Sequence, residues 1–238
     1  MRRSVFYNFA TNVALCAIVL SVGAVCLLPQ NNDVATDGGK PTVYRSAGAD
    51  TGAVSLMFNV YWGTDEVYKI LDILDEYSAK STFFIGGSWA DDNVECLKEI
   101  AARGHELGNH GYFHKDHKKL DEKGNRAEIE NCNQFIALAA GITPTLFAPP
   151  SGSYGDTALN VAEQLKMKTI LWSKDTIDWR DKDKSLIYKR ATDGVTGGDF
   201  ILMHPMQATR EVLPDILQYY RNNGLRAVTV TKNLQKEG

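Results

Sequence analysis

The sequence is short of cysteine and has no basic stripe, no internal repeat and no low-complexity tract. Four cysteines in 238 residues are too few for a disulfide scaffold. Cys16 and Cys26 fall in an apolar run near the N-terminus. Cys96 and Cys132 fall on apolar helix faces and read as buried free thiols, with a bridge between them left open. Lys and Arg number 26 against 29 Asp and Glu, a net charge of -3. No cluster of cations marks a nucleic-acid surface, so nucleic acid is not an expected partner. What remains is ordinary globular composition, 44% hydrophobic and 23% charged, enough for one large domain or two small ones.

Charge is also missing between Arg3 and Asp33. Val13 to Leu28 is almost wholly apolar, and Phe6 to Leu28 is long enough to span a bilayer. Paired arginines before such a run predict a signal peptide or, preferably, an uncleaved signal anchor over residues 1–28, with the remainder outside the cytoplasm. Residues 29–49, rich in Asn, Asp, Gly, Thr and Ser, read as a flexible linker. Residues 50–238 then form the folded domain.

Within that domain, apolar runs alternate with helical periodicity. Strands are expected at 53–58, 81–85, 105–109, 146–147, 169–172, 200–203 and 225–228. Helices are expected at 64–77, at 121–140, at 156–165, at 184–191 and at 208–222. A further helix carries Val94, Leu97, Ile100 and Ala101 on one face, capped by Asp91 or Asp92 and ended by Gly104. Repeated strand–helix units imply an α/β fold with a parallel sheet. The polar clusters at 59–65, 110–117, 149–154, 173–179 and His204 all follow strands. In a barrel those ends share one face, where such folds place their chemistry.

Histidine is scarce but concentrated: four of the five lie between His105 and His117. His110 and His114 have the H-x-x-x-H spacing. Two imidazoles so placed can meet one metal ion on a helical turn or in a tight loop. The same spacing also suits loop histidines with no shared task.

Taken together, the ordered motifs resemble those of the polysaccharide deacetylases, the NodB-homology (carbohydrate esterase 4) family. Asn59 stands where the family's Thr-Phe-Asp-Asp motif begins its acidic pair. His110-Gly111-Tyr112-Phe113-His114 matches the metal-binding histidine pair. Ala148-Pro149-Pro150-Ser151-Gly152 matches Arg-x-Pro-x-Gly, the segment from Asp175 to Trp179 matches Asp-x-x-x-Trp, and Leu202-Met203-His204 matches the closing Leu-x-His. Trp62-Gly63 resembles the membrane-anchored, sporulation-associated branch. The resemblance implies a distorted, incomplete (β/α) barrel acting on N-acetylated cell-wall glycan, peptidoglycan or chitin-like. It implies a divalent ion, often zinc, held by one Asp and the two His, with a second Asp as base, an Arg tethering it, and the last His as acid.

Three of those groups are absent. Asn59 and Val60 replace the acidic pair, and Ala148 replaces the Arg. A carboxamide is not a general base and valine binds no metal. Two readings follow. In one, hydrolysis survives at a rebuilt site: His110, His114 and Asp65 hold the metal, Asp175 or Asp178 acts as base beside Asn59, and His204 is the acid. Asp175 has the alternative task of orienting His204, and Asp65 that of an ordinary acid in the first turn of a helix. In the other, the chain binds glycan without turnover. Trp62, Tyr154, Trp179 and Leu202 are the candidate substrate-binding side chains, with Tyr112 and Phe113 as further groove or core aromatics.

Overall fold

The computed structural model describes residues 41–48 and 51–235. The expected anchor, and the linker as far as residue 40, lie outside the described residues. In chain order the first half comprises Val43–Tyr44 (β1), Ala53–Val60 (β2), Thr64–Glu76 (α1), Thr82–Ile85 (β3), Gly87–Asp92 (α2), Val94–Ala102 (α3), Glu106–Asn109 (β4) and Glu122–Ala140 (α4). The second half comprises Leu146–Phe147 (β5), Asp156–Gln164 (α5), Lys168–Ile170 (β6), Lys174–Asp175 (β7), Asp178–Asp181 (α6), Lys184–Thr192 (α7), Phe200–Met203 (β8), Gln207–Asn222 (α8), Arg226–Ala227 (β9) and Val230–Leu234 (α9).

The strands pair in the order β1-β6-β5-β4-β3-β2-β8-β7, with β9 added on β2. Every named pairing is parallel. The sheet curls, and the segment following β1 reaches the start of β8. There Ser46 forms an antiparallel bridge with Asp199, and the Ala47 N–H donates to Gly198 O at 2.8 Å. This is the distorted, incomplete (β/α) barrel implied by the motifs.

Alternation along β2 explains both its burial and what its end presents. All eight residues are buried. Val54, Leu56, Phe58 and Val60 pack outward into the layer between sheet and helices, with Leu71, Leu97 and Leu213 among their neighbours. Met57 faces the other way, into a cluster with Phe84, Leu146, Ala148, Ile170 and Phe200 inside the curl. The same period of two puts Asn59 on the inner side. At the amino ends of the strands, α9 stops the barrel. Val230 joins the inner cluster, its N–H donates to Thr82 Oγ1 at 2.8 Å, and Asn233 Nδ2 donates to Ser55 Oγ at 3.1 Å.

Several expectations need correction. The linker does not extend to residue 49, because Val43 and Tyr44 pair with Thr169 and Ile170 as an edge strand. Neither Asp91 nor Asp92 caps α3. Both belong to α2, and Asn93 precedes α3 with its Oδ1 accepting from Thr64 Oγ1 at 2.8 Å. Two-residue β7 and the short α6 and α9 offer no periodicity to read. Cys96 and Cys132 are buried free thiols.

Candidate functional site

The carboxyl ends of the strands surround a cleft of about 390 Å³, lined by Asn59, Trp62, His110, His114, Ser151, Trp172, Asp175, Trp179, Leu202 and His204. These ten side chains come from the ends of six strands, β2, β4, β5, β6, β7 and β8, so the fold rather than the local sequence assembles them.

His110 follows β4 directly and is buried. Its Nδ1 lies 2.7 Å from Ala148 O. A carbonyl only accepts, so Nδ1 carries the proton and Nε2 keeps its lone pair. Burial, reinforced by His114, pushes the His110 pKa down to about 3. His114 lies in a tight loop at φ 55, not on a helical turn. Its ring centroid is 5.1 Å from that of His110 at 70°, and 5.0 Å from that of Tyr61. Burial lowers its pKa as well.

Helix α4 holds this loop from behind with a buried polar stripe. Asn109 Oδ1 accepts the Gly111 N–H at 2.7 Å, and Asn109 Nδ2 donates to Ile129 O and Asn133 Oδ1, both at 2.8 Å. Buried Glu128 accepts the Phe113 N–H at 2.8 Å and pairs with Lys115 at 3.2 Å. His117 Nδ1 and Asn125 Oδ1 are 2.7 Å apart, and Asn125 Nδ2 donates to three backbone carbonyls. His105 is remote, at the head of β4, where Ser81 N–H donates to its Nδ1 at 3.2 Å.

Across the cleft, His204 is fixed by Asp178. The Asp178 carboxylate is fully buried. Its Oδ1 is 2.7 Å from His204 Nδ1, and its Oδ2 accepts from His204 N at 2.7 Å and Thr209 Oγ1 at 2.6 Å. The imidazole therefore donates from Nδ1 and keeps Nε2 for the cleft. Trp62 stacks on it, centroids 5.7 Å apart and planes 3° from parallel, while Trp62 Nε1 donates to Met206 Sδ at 3.3 Å. Gly63 permits this approach: it sits at φ +81, and a Cβ there would lie 2.4 Å from Pro205 O.

The structure separates the remaining candidates. The sequence motif offers Asp175 for orienting His204, and the structure assigns that contact elsewhere. Asp175 lies on the cleft wall with its Oδ1 accepting the Ile177 N–H at 2.9 Å, and Asp178 does the orienting. Asp65 is exposed in the first turn of α1 and does not border the cleft. Tyr154 does not border it either; Trp62, Trp179 and Leu202 do. Trp172 and Ser151 are cleft residues without a sequence-based assignment. Trp172 ends the apolar run of β6, and a Cβ on Gly152 would lie 2.8 Å from its ring. That glycine was the available signal. Phe113 is exposed and Tyr112 half-buried, its ring filling the space beside Gly87.

The donor set does not fit a three-ligand catalytic metal. His110 and His114 form a pair, but Val60 points outward into the apolar layer, Asn59 supplies only a neutral carboxamide, and Asp65 stands elsewhere. Among the described residues no group of three His, Cys, Asp or Glu could hold a metal ion. Catalytic zinc takes three protein ligands. Ala148 contributes its backbone carbonyl to His110 while its methyl group packs in the inner cluster.

Comparison with known proteins agrees with this geometry. The chain is 35% identical over 193 residues to YlxY of Bacillus subtilis (strain 168), covering 81% of this chain and 60% of that one. It is 30% identical over 172 residues to a peptidoglycan-N-acetylglucosamine deacetylase of Bacillus cereus (strain ATCC 14579), covering 70% of this chain and 62% of that one. The chain thus spans somewhat under two thirds of either relative. The crystal structure of BA3943 from Bacillus anthracis, a CE4 family pseudoenzyme, superposes with a TM-score of 0.80 at 32% identity, covering 82% of this chain and 70% of that one. A BA3943 mutant with restored enzymatic activity superposes equally well, TM-score 0.80 at 30% identity. A family model for polysaccharide deacetylase matches residues 47–170. With these matches, the barrel and the five motif loops gathered at one cleft, the chain belongs to the polysaccharide deacetylase family.

Proposed function

We propose that this polysaccharide-deacetylase-like domain takes N-acetylated cell-wall glycan into the cleft and holds it without metal-assisted hydrolysis. One observation carries the reading. The cleft keeps its three tryptophans and three histidines, while the base, the carboxylate ligand and the tethering Arg are Asn59, Val60 and Ala148. Aromatic faces and fixed imidazoles serve binding with or without chemistry. Similarity to a CE4 family pseudoenzyme supports the same reading.

A second reading, hydrolysis at a rebuilt site, draws on the unprotonated Nε2 of His110 and the retained Asp178–His204 pair. Incubating the full chain with N-acetylated chito-oligosaccharide and peptidoglycan fragments, with and without added zinc, separates the two. Binding without acetate release is the expected result. Acetate release that disappears in His204→Ala would establish hydrolysis instead. Metal analysis of wild type against His110→Ala tests the divalent ion.

The location is part of the proposal. The paired arginines and the apolar run over residues 6–28 favour a membrane tether with the domain outside the cytoplasm. Topology reporters fused after residue 40 should be active only outside; cytoplasmic activity would overturn the orientation.

A further inference from the structure

We infer that the cleft distinguishes the N-acetylated from the free-amine form of its glycan, and that the Asn59 carboxamide makes the distinction by pairing with the acetamido group. This rests on the reading of the cleft as a glycan site.

Asn59 is 5% exposed and stands on the inner side of β2 beside the histidine pair. Its Oδ1 has no hydrogen-bond partner. Among the described residues four buried side-chain polar atoms are in that state, and Asn59 alone of their owners borders the cleft. Such an atom destabilises a folded protein unless a ligand or water satisfies it. A half-turn about Cβ–Cγ exchanges its acceptor and donor ends without moving the backbone.

A carboxamide and an acetamido group are complementary. The side-chain carboxamide has one carbonyl and two N–H donors, while the trans acetamido group points its single N–H and its carbonyl to opposite sides, so one bond joins them at a time: Oδ1 takes the acetamido N–H or, after the half-turn, Nδ2 gives to the acetamido carbonyl. A carboxylate at the same place could only accept, and would favour an ammonium. The rest of the wall suits an acetyl group rather than a cation. Trp172 and Leu202 offer apolar surface for a methyl, and Asp175 is the one carboxylate, with its Oδ1 already taken by the Ile177 N–H. An ammonium entering here would lose water without gaining a counter-charge at Asn59.

The test measures binding of a chito-tetraose and of the same tetramer fully de-N-acetylated to the full chain, with chelator present, by calorimetry. Wild type should prefer the acetylated form by about tenfold or more. Asn59→Asp should reverse the preference, and Asn59→Ala should abolish it. Equal wild-type affinity for both tetramers overturns the inference while leaving the glycan reading intact. So does an unchanged ratio in a folded Asn59→Asp. Binding of neither tetramer removes the glycan reading, and the inference with it. The wild-type ratio needs no variant, so misfolding of a substituted chain cannot obscure the outcome.

Discussion

Two carboxylates three positions apart, Asp175 and Asp178, have different environments. Asp178 answers four donors in a fully buried position, whereas Asp175 answers one backbone N–H at the cleft wall. Asp178→Ala should therefore destabilise the fold by at least about 3 kcal/mol, since buried donors are left unmet, while Asp175→Ala should stay within about 1 kcal/mol. Urea unfolding of both variants checks the contrast. The sequence could show that His110, His114 and His204 stand at strand ends, because histidine is rare here and the apolar runs mark where strands stop. It could not show which Asp faces His204. That choice is made by Ile177, whose φ of 53 turns the chain between the two carboxylates, and no propensity predicts an isoleucine in the left-handed region.

Loops and helices cooperate where the sequence suggests independence. The loop from Gly111 to His117 has no secondary structure, yet α4 fixes it through Asn125, Glu128 and Asn133. Glu128→Ala should lower stability by about 1–3 kcal/mol and expose the Phe113 amide to exchange, because that N–H loses its acceptor; hydrogen-exchange NMR reports it directly. Gly63→Ala should be at least as disruptive, since a Cβ would meet Pro205 O at 2.4 Å. It should also weaken glycan binding by parting Trp62 from His204. A fall in melting temperature with retained affinity would refute that link. The long elements were readable from periodicity, and α4 starts and stops where its capping Asp121 and its left-handed Gly141 indicate. Two-residue strands were not readable, because they exist only through their partners.

Over the whole molecule, neutral buried histidines set a pH dependence. Burial lowers His105 from 6.5 to about 4 and His110 to about 3, and lowers His117 too. The unfolded chain binds these protons first as pH falls, so stability is complete above about 6.5 and declines toward 4. His105 alone accounts for up to about 3 kcal/mol across that window. Denaturation midpoints from pH 7.5 to 4.5 should drop, and His105→Asn should flatten the slope. The replacements in the first and third motifs define a further trial. Asn59→Asp and Ala148→Arg, both on the inner side, should together produce zinc-dependent acetate release, assayed on N-acetylated oligosaccharide, and adding the outward-facing Val60→Asp should not raise it. Melting temperature should fall, since positions 60 and 148 are fully buried among apolar side chains.

The closure of the barrel floor by α9 also bears on how the chain acquires its fold. Val230 meets Thr82 across 148 residues, and Asn233 meets Ser55 across 178. These contacts join the last helix to the first long strand, so loop-closure entropy is large and the final docking step is slow. A nascent chain that has not reached Val230 leaves the inner cluster of Met57 and Phe84 open at one end. A chain that stops before Val230 therefore presents an unfinished apolar interior instead of a closed barrel floor.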